Sequence, residues 1–408
     1  MNYINRTYSV ENISSIKLAK KFGTPIYCYS YKKIKENIFN FKENFNSFKP
    51  LICFSVKSNS NLYLLREMKR LGCGADVVSK GELIKALKAG IAPKKIVFSG
   101  VGKTFEELSN AINKKILLIN AESKSEIVKI EKIAKTKKKT VDIGIRLNPN
   151  VDAKTLIKIS TGKKTNKFGI AENDFYKLVN LVKKSKYLKL KCLSIHIGSQ
   201  ILDYKPYVKM LKILNRIIIN SGHYFEFIDL GGGMGISYND KIKKLNYSKY
   251  SREVYKFYKK HKSKIIFEPG RSIIGDAGVL ICKVIYIKKT NNKNFVILDA
   301  GMNDLMRPAL YGAEHKIIPA QKKNSILNKN IEFVGPICET TDSFLFLKKF
   351  QKLKENDVIV ICDVGAYGMS LSSNYNLRPK PLEILIKQNK INIIKKKGKN
   401  FRYNLVSI

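Results

Sequence analysis

The sequence predicts a TIM-type (β/α)8 barrel followed by a β-rich second domain, and three observations support this fold class. Between about residues 51 and 270, short apolar runs alternate with helical patterns, as in a parallel sheet built from β-α-β units. Eight such runs within about 220 residues match the number and size expected of a closed barrel. After residue 275, apolar runs follow one another with few helices between them.

The eight predicted barrel strands are short apolar runs separated by helical patterns such as NLYLLREMKRLG, KGELIKALKAG and SEIVKIEKIAK. They are LICFS (51–55), ADVV (75–78), KIVFSG (95–100), KILLIN (115–120), VDIGIRLN (141–148), LKCLSIHIG (190–198), FEFIDLGGG (225–233) and KIIFEPG (264–270). The rival fold is a doubly wound open sheet, which usually carries a glycine fingerprint after its first strand. No such fingerprint follows the strand at 51–55, so the barrel is favoured.

The second domain is predicted from strand-like runs in the C-terminal third of the chain. These runs are GVLICKVIYIKK, KNFVILDAG, KNIEFVGPICE, DVIVICDVGAYG and KPLEILIK. An earlier strand, PIYCYS (25–30), precedes the first barrel helix and is expected to join the same sheet. The predicted organisation is an N-terminal segment (1–34) that contributes to the β-domain, a barrel (35–275) and a C-terminal β-domain (276–408).

The formal net charge of +45 is extreme for a chain of 408 residues. Such a charge is compatible with binding to nucleic acid or to an anionic membrane. The basic residues are mostly lysines scattered through helical stretches, however, and the longest lysine runs (137–139 and 395–397) are short. We therefore interpret the charge as lysine on solvated faces, and expect neither a nucleic-acid nor a membrane partner.

Seven cysteines, an odd number without a CxxC pair, favour a reducing compartment over a disulfide framework. The four histidines lack the spacing of metal ligands, so no metal site is expected. No apolar run approaches the roughly 20 residues that span a bilayer, and the N-terminus lacks an apolar signal core. These features predict a soluble, cytoplasmic protein.

Four groups with useful chemistry fall at the carboxyl ends of predicted barrel strands, where barrel enzymes carry their active sites. Lys57 follows the first strand, His196 lies in the sixth, the glycines 231–233 end the seventh, and Glu268 begins the turn after the eighth. A lysine nucleophile, a glycine turn for a phosphate and a carboxylate for a pyridine nitrogen together indicate pyridoxal phosphate. Taken singly, each has a plainer interpretation, such as a surface lysine, a ligand-free turn or a packed histidine.

A series of motifs extends this interpretation along nearly the whole chain. They are FSVKSN, GCGADVVSKGE, STGKKTNKFGI, HIGSQI, DLGGGMGISY, EPGRSII, DAGMNDLMRPALYGAEH, VGPICETTDSF and VGAYGMSLSSNYN. In this order they resemble the fold-type III pyridoxal-phosphate-dependent decarboxylases, which implies an alanine racemase-like architecture. One departure is Ser58, where that family commonly has alanine after the lysine.

The resemblance implies roles for individual residues. Lys57 would form the Schiff base with the cofactor, His196 would stack on its ring, and Cys338 would be the proton donor. The residues implied to bind the cofactor are Lys57, Asp76, His196, Ser199, Gly231, Gly232, Gly233, Glu268, Gly270, Arg271 and Tyr367. Those implied to bind substrate are Arg271, Arg307, Tyr311, Glu339 and Tyr367. Without the resemblance, Cys338, Tyr311 and Tyr367 are better interpreted as packing residues.

The activity implied is decarboxylation of meso-2,6-diaminopimelate to L-lysine and CO2, the last step of lysine biosynthesis. Cys338 and Glu339 would reach into the site from a second subunit, which implies a homodimer with shared active sites. Related decarboxylases of ornithine, arginine or a carboxylated polyamine remain alternatives, and a same-fold racemase is a weaker one. Two non-enzymatic alternatives are a pyridoxal-phosphate carrier barrel and a basic nucleic-acid-binding protein.

Overall fold

The computed structural model describes residues 1–153, 161–162, 166–238 and 245–398, and these form two compact units. The β unit contains residues 1–36, Ser237, Tyr238 and the described residues from Ile274 onward. The barrel unit contains the described residues of 37–236 and 245–273. The predicted barrel region, 35–275, differs from the barrel unit by two residues at each end and by Ser237 and Tyr238.

The N-terminal region begins with a three-stranded antiparallel sheet that the sequence did not predict. Its elements and those that follow are β1 (Asn2–Ile4), β2 (Thr7–Val10), β3 (Ile13–Ser14), α1 (Ser15–Phe22), β4 (Ile26–Ser30) and α2 (Tyr31–Asn44). Helix α1 starts where the Ser14 side chain accepts a hydrogen bond from the Lys17 amide, and ends at Gly23, whose φ of +74° suits glycine.

Eight parallel strands close the barrel, and nearly all of their residues are buried. They are β5 (Leu51–Ser55), β6 (Gly74–Val77), β7 (Ile96–Phe98), β8 (Leu118–Ala121), β9 (Val141–Leu147), β10 (Leu188–Ile195), β11 (Phe227–Asp229) and β12 (Lys264–Phe267). Strand β12 pairs with β5, with Ile266 beside Leu51, and so completes the ring. The predicted fold class is confirmed, although strand ends differ from their predicted positions by up to four residues.

Helices follow most of the barrel strands. They are α3 (Leu62–Arg70), α4 (Lys80–Lys88), α5 (Phe105–Asn113), α6 (Lys124–Thr136), α7 (Glu172–Lys183), α8 (Lys205–Ser221), α9 (Tyr247–His261) and the short α10 (Arg271–Ile274). Polar caps fix several starting points: Thr104 and Glu107 form a reciprocal capping box on α5, and Ser79 caps α4. None of the described helices combines the length and apolarity needed to cross a bilayer.

The side chains inside the barrel change from apolar to polar along six of its strands. One position on each strand is apolar, and these residues pack together as an apolar layer: Cys53, Val97, Leu118, Cys192, Phe227 and Ile266. Two residues further along the chain from each of these lies a buried polar layer, in which Ser99 and Glu268 directly follow β7 and β12. Its members are Ser55, Ser99, Asn120, Ser194, Asp229 and Glu268. The polar layer lies toward the carboxyl ends of the strands, where barrels carry their chemistry.

The β unit is built on a nine-stranded sheet. Its elements after the barrel are β13 (Gly278–Lys289), β14 (Asn294–Leu298), α11 (Arg307–Tyr311), β15 (Ile317–Pro319), β16 (Ile326–Leu327), β17 (Ile331–Val334), β18 (Ser343–Leu347), β19 (Phe350–Gln351), β20 (Val358–Ile361), β21 (Leu382–Lys387) and β22 (Lys390–Lys395). Strands β16 and β19 form a separate ribbon. Strand β4 lies between β13 and β21, as predicted for PIYCYS.

Candidate active site

Lys57 lies at the mouth of the barrel, in a single 3-10 turn (Val56–Ser58) directly after β5. Its Nζ is 3.7 Å from Oδ2 of Asp76 on β6, a fully buried carboxylate. The hydroxyl of Ser55 donates to the same Oδ2 at 2.8 Å, which holds the carboxylate in place. The Lys57 side chain is 41% exposed, and its amine lies next to a buried carboxylate.

Asp229 and Glu268 form a buried carboxyl pair in the polar layer. Burial raises the pKa of Glu268 well above its usual range, and the neighbouring Asp229 and Asp76 raise it further. Burial also raises the pKa of Asp229 to about 6. Because the two carboxyl groups are hydrogen-bonded to each other, one of them must carry a proton.

Neutral donors surround this pair. Asn120 donates to Asp229 at 2.9 Å, Ser194 donates to it at 3.2 Å, and Ser99 donates to Glu268 at 3.2 Å. These donors lie on β8, on β10 and directly after β7, and they restrict the orientation of both carboxyl groups. The polar layer is therefore a connected hydrogen-bond network rather than a set of isolated side chains.

His196 follows the last residue of β10 directly, one position beyond the strand in which it was predicted. The amide of Gly232 donates to its Nδ1 at 3.1 Å, so the proton of the neutral ring lies on Nε2. Burial, followed by the nearby positive charges of Lys57 and Arg146, lowers the pKa of His196 well below its usual range. The imidazole is thus neutral and fixed in orientation.

The glycine run after β11 has a steric cause. A Cβ at Gly231, Gly232 or Gly233 would lie 2.5, 2.1 or 2.2 Å from the carbonyl oxygens of Ile195, Glu268 and Gly198 respectively. The amides of Gly231 and Gly232 already donate to Asp229 and His196. The amides of Gly235 and Ile236 also donate within the protein, to Ile201 and Gln200, so a phosphate bound by this loop would rely on the amides of Gly233 and Met234.

Arg271 opens the short helix α10 after β12 and is buried. Its Nη2 donates to the hydroxyl of Ser199 at 3.1 Å. The preceding Gly270 packs on Ser58, where an added Cβ would lie 2.9 Å from the hydroxyl. Through these contacts and those described above, the structure brings together the predicted cofactor residues of the barrel unit. Tyr367 belongs to the β unit.

Arg307 and Tyr311 are the first and last residues of α11 in the β unit. Arg307 is buried, and its Nη1 bonds to Nε2 of His315 at 2.7 Å. Tyr311 is half-buried. Tyr367 is also half-buried, in a loop where it adopts a φ of +58°, an uncommon conformation for a bulky residue.

Cys338 and Glu339 lie on an exposed turn after β17. Six of the seven cysteines are buried and Cys338 alone is exposed, so it is not a small core residue. The buried carboxylate of Asp342 shapes the turn by accepting from the amides of Ile337 (2.7 Å) and Met302 (2.6 Å). The hydroxyl of Tyr375 donates to the Glu339 carboxylate at 2.7 Å.

Comparison with known proteins identifies the family. Residues 31–275 match the family described as "Pyridoxal-dependent decarboxylase, pyridoxal binding domain". A diaminopimelate decarboxylase of Helicobacter pylori is 44% identical over 385 residues, covering 93% of this chain and 95% of the relative. One of Aquifex aeolicus is 39% identical over 408 residues, covering 99% and 96%. The chain belongs to the diaminopimelate decarboxylase family.

The solved structures agree with this assignment. A crystal structure of diaminopimelate decarboxylase from M. jannaschii in complex with L-lysine matches with a TM-score of 0.93 at 35% identity, covering 98% of this chain and 95% of that one. The family resemblance expected from the motifs is confirmed, and so is the expected enzyme class, a pyridoxal-phosphate-dependent decarboxylase. The roles of individual residues stay predictions.

The residues of the barrel mouth fit the cofactor of this diaminopimelate decarboxylase fold. Lys57 supplies the amine, and a carboxyl pair that holds a proton supplies the acidic partner for a pyridine nitrogen. Oδ1 of Asp76 is a buried acceptor without a hydrogen-bond partner among the described residues, which indicates room for a further donor there. Lys57, His196, Glu268 and Arg271 are thus the residues that would hold pyridoxal phosphate.

Sequence reasoning missed two buried residues of this family member. Asp229 fell within the predicted strand FEFIDLGGG and the motif DLGGGMGISY without a predicted role, although a charged residue in an apolar run just before a glycine turn is a signal in itself. His315 ends the motif DAGMNDLMRPALYGAEH without a predicted role, although it is one of just four histidines. Of the motif STGKKTNKFGI (160–170), residues 160 and 163–165 lie outside the described residues.

Proposed function

We propose that this protein converts meso-2,6-diaminopimelate to L-lysine and CO2. The observation that carries the proposal is the placement of Lys57 at the barrel mouth, 3.7 Å from the buried Asp76, above a polar layer that holds a proton. Similarity to diaminopimelate decarboxylases over nearly the full chain supports the choice of substrate. The same similarity supports a place at the lysine-forming step of biosynthesis.

Bound through Lys57, pyridoxal phosphate supplies an electron sink for the pair left behind by the departing CO2. Glu268 keeps a proton available for the pyridine nitrogen, because burial and Asp229 both disfavour its charged form. His196 stays neutral and presents a fixed ring, since its Nδ1 is held by the Gly232 amide. Arg271 is a buried cation suited to an anionic group.

Arg307 would bind the substrate carboxylate that the reaction leaves in place. A site that bound the departing carboxylate tightly would stabilise the ground state and slow its loss. Holding the distal carboxylate instead contributes affinity without opposing the chemistry. The planar guanidinium of Arg307 suits two parallel bonds to a carboxylate, and its burial strengthens them.

Cys338 would donate the proton that replaces the lost carboxyl group. The bond to CO2 breaks, its electron pair is retained at the substrate carbon, the Sγ proton of Cys338 moves to that carbon, and water restores the thiol. Glu339 would bind the distal ammonium group. Their exposed positions on one turn support a homodimer in which each subunit lends this turn to the site of its partner.

The activity is tested by reconstituting the purified protein with pyridoxal phosphate and measuring CO2 from meso-diaminopimelate, ornithine and arginine, together with alanine racemisation. We expect CO2 release from meso-diaminopimelate with strong preference over the others. Absence of that release, with turnover of ornithine or racemisation of alanine, would refute the proposal. RNA binding that weakens steeply with salt, without a bound chromophore, would instead favour the nucleic-acid alternative.

The shared site is tested by mixing two inactive variants, Lys57→Ala and Cys338→Ser, after dissociation and reassociation. Random pairing gives half of the dimers one intact site, so about a quarter of wild-type activity should return. Mixtures that stay inactive while forming mixed dimers would contradict the exchange of Cys338 between subunits.

We place the enzyme in the cytoplasm, since its seven cysteines form no disulfide and the six buried ones serve as small core residues. Separation of cell fractions with activity measured in each would test this placement. Activity confined to an oxidising compartment would contradict it.

A further inference from the structure

The guanidinium of Arg307 is held by two side chains of the β unit. Its Nη1 bonds to Nε2 of His315 at 2.7 Å. Its Cζ lies 4.7 Å from the centroid of the Tyr238 ring, within the range of a cation–π contact. Tyr238 also packs edge-to-face on His315, with ring centroids 5.1 Å apart and an angle of 77°. We call Arg307, His315 and Tyr238 the arginine cluster.

The bonds of His315 determine its tautomer. Nδ1 lies 2.8 Å from the backbone carbonyl oxygen of Cys362, which can only accept, so Nδ1 carries the proton. Arg307 can only donate, so Nε2 must offer its lone pair. Both requirements are met by one form, the neutral imidazole protonated at Nδ1. The histidine thus connects a backbone carbonyl to the guanidinium through two bonds of fixed direction.

Burial makes this arrangement rigid. His315 is 1% exposed and Arg307 is 5% exposed, so neither side chain can exchange its bond for one to bulk water without a larger rearrangement. A guanidinium has two edges, and the bond from Nη1 fixes the direction in which the Nε–Nη2 edge points. That edge has the geometry for two parallel bonds to a carboxylate.

We propose that His315 is a positioning residue, which sets the orientation of Arg307 for the carboxylate that the substrate retains. The inference rests on the proposed function, in which Arg307 binds that carboxylate. In this role His315 acts through its bond to Arg307 and needs no contact with the cofactor or the reacting atoms. Its loss should weaken binding of ligands that carry the distal carboxylate and leave the chemical step largely unchanged.

Two substitutions of His315 separate its two bonds. His315→Asn keeps a donor near the position of Nδ1 and removes the acceptor for Arg307. His315→Gln places an amide oxygen near the position of Nε2 and so keeps an acceptor. We expect His315→Asn to raise KM for meso-diaminopimelate roughly 10-fold to 100-fold with kcat little changed, and His315→Gln to recover part of that loss.

Competitive inhibition supplies a readout that general damage to the fold would not give. L-lysine, the product, retains the distal carboxylate, whereas 1,5-diaminopentane has no carboxylate. His315→Asn should weaken inhibition by L-lysine as much as it raises KM, and leave inhibition by 1,5-diaminopentane unchanged. His261→Asn is the matched control, because His261 is bonded to Asn215 at 3.1 Å in the barrel unit and should affect neither value.

The outcomes are distinguishable from failure of the proposed function. If the wild-type enzyme releases no CO2 from meso-diaminopimelate, the proposed function is wrong. If the wild type is active and a folded, cofactor-loaded His315→Asn variant keeps its KM, the positioning role is wrong. Equal weakening of L-lysine and 1,5-diaminopentane would also overturn it. Should His315→Asn not fold, an unchanged KM in a folded His315→Ala variant would overturn the inference equally.

Discussion

The apolar layer and the polar layer of the barrel lie two residues apart along the same six chain segments, and they have different roles. Residues such as Leu118 and Cys192 fill the interior without polar atoms that need partners. Asn120 and Ser194, the next inward positions on those strands, bond to a buried carboxylate. The apolar layer stabilises the fold through burial of apolar surface. The polar layer costs folding free energy, because polar groups are buried there, and it holds a proton at the barrel mouth.

The largest effect is expected at Lys57, above the polar layer. Lys57→Ala removes the amine that holds the cofactor, so activity should fall by roughly 10³-fold or more and the visible absorption band of bound cofactor should disappear. Spectra and CO2 release measure both. Lys124→Ala, which alters an exposed lysine on α6, is the control and should change neither. Retention of the band in Lys57→Ala would refute the assignment.

A truncation in the apolar layer should act on stability alone. Leu118→Ala leaves a cavity in a fully buried position, and we expect a loss of about 2–5 kcal/mol in the free energy of unfolding. Denaturant unfolding at pH 5 and pH 7 should give the same loss, because no titrating group is removed. A loss that changed strongly with pH would contradict this prediction, because it would couple Leu118 to a titrating group.

The contribution of the polar layer to the free energy of unfolding should instead depend on pH. The pKa of Asp229 is raised in the folded protein to about 6, so its protonated form favours folding, and that contribution fades as pH rises from about 4 through 6. Asp229→Asn removes the titration. We compare the unfolding free energies of the variant and the wild type, both without cofactor. From pH 4 to pH 7, the value for the variant should rise by about 2 kcal/mol relative to the value for the wild type. A difference that stays constant over this range would contradict the shared proton.

The smallest effect is expected at Ser194, one donor to that carboxyl pair. Ser194→Ala should cost about 1 kcal/mol at neutral pH, the usual contribution of one hydrogen bond. In the Asp229→Asn background the cost should shrink, because the charged acceptor is gone. A double-mutant cycle measured by denaturant unfolding tests this, and strict additivity would show that Ser194 and Asp229 act independently.

The sequence allowed the barrel strands to be predicted because each is a local run of apolar residues bounded by turns. The first sheet escaped notice because β1, β2 and β3 span only two to four residues and lack a clear alternation. The polar layer was recognised only at Glu268, since its members lie on different strands and meet only after the barrel closes. The contact of His315 with the Cys362 carbonyl joins residues 47 positions apart, which no local pattern reveals.

Most basic residues of this protein are lysines, but most of the buried ones that the structure describes are arginines. Only ten of the 77 basic residues are arginines, yet among the described residues three of the four buried basic side chains are Arg146, Arg271 and Arg307, and the fourth is Lys103. Each arginine bonds to a specific neighbour: Glu122, Ser199 or His315.

The planar guanidinium of arginine can donate hydrogen bonds in several directions within one plane, and the ammonium group of lysine cannot reproduce that geometry. A chain that tolerates lysine almost everywhere on its surface therefore retains guanidinium groups at these inner positions. Exchanging arginine for lysine should be nearly silent at Arg252, which is exposed on α9, and costly at the three buried sites. Arginine, although rare in this sequence, thus occupies the buried positions at which lysine could not replace it.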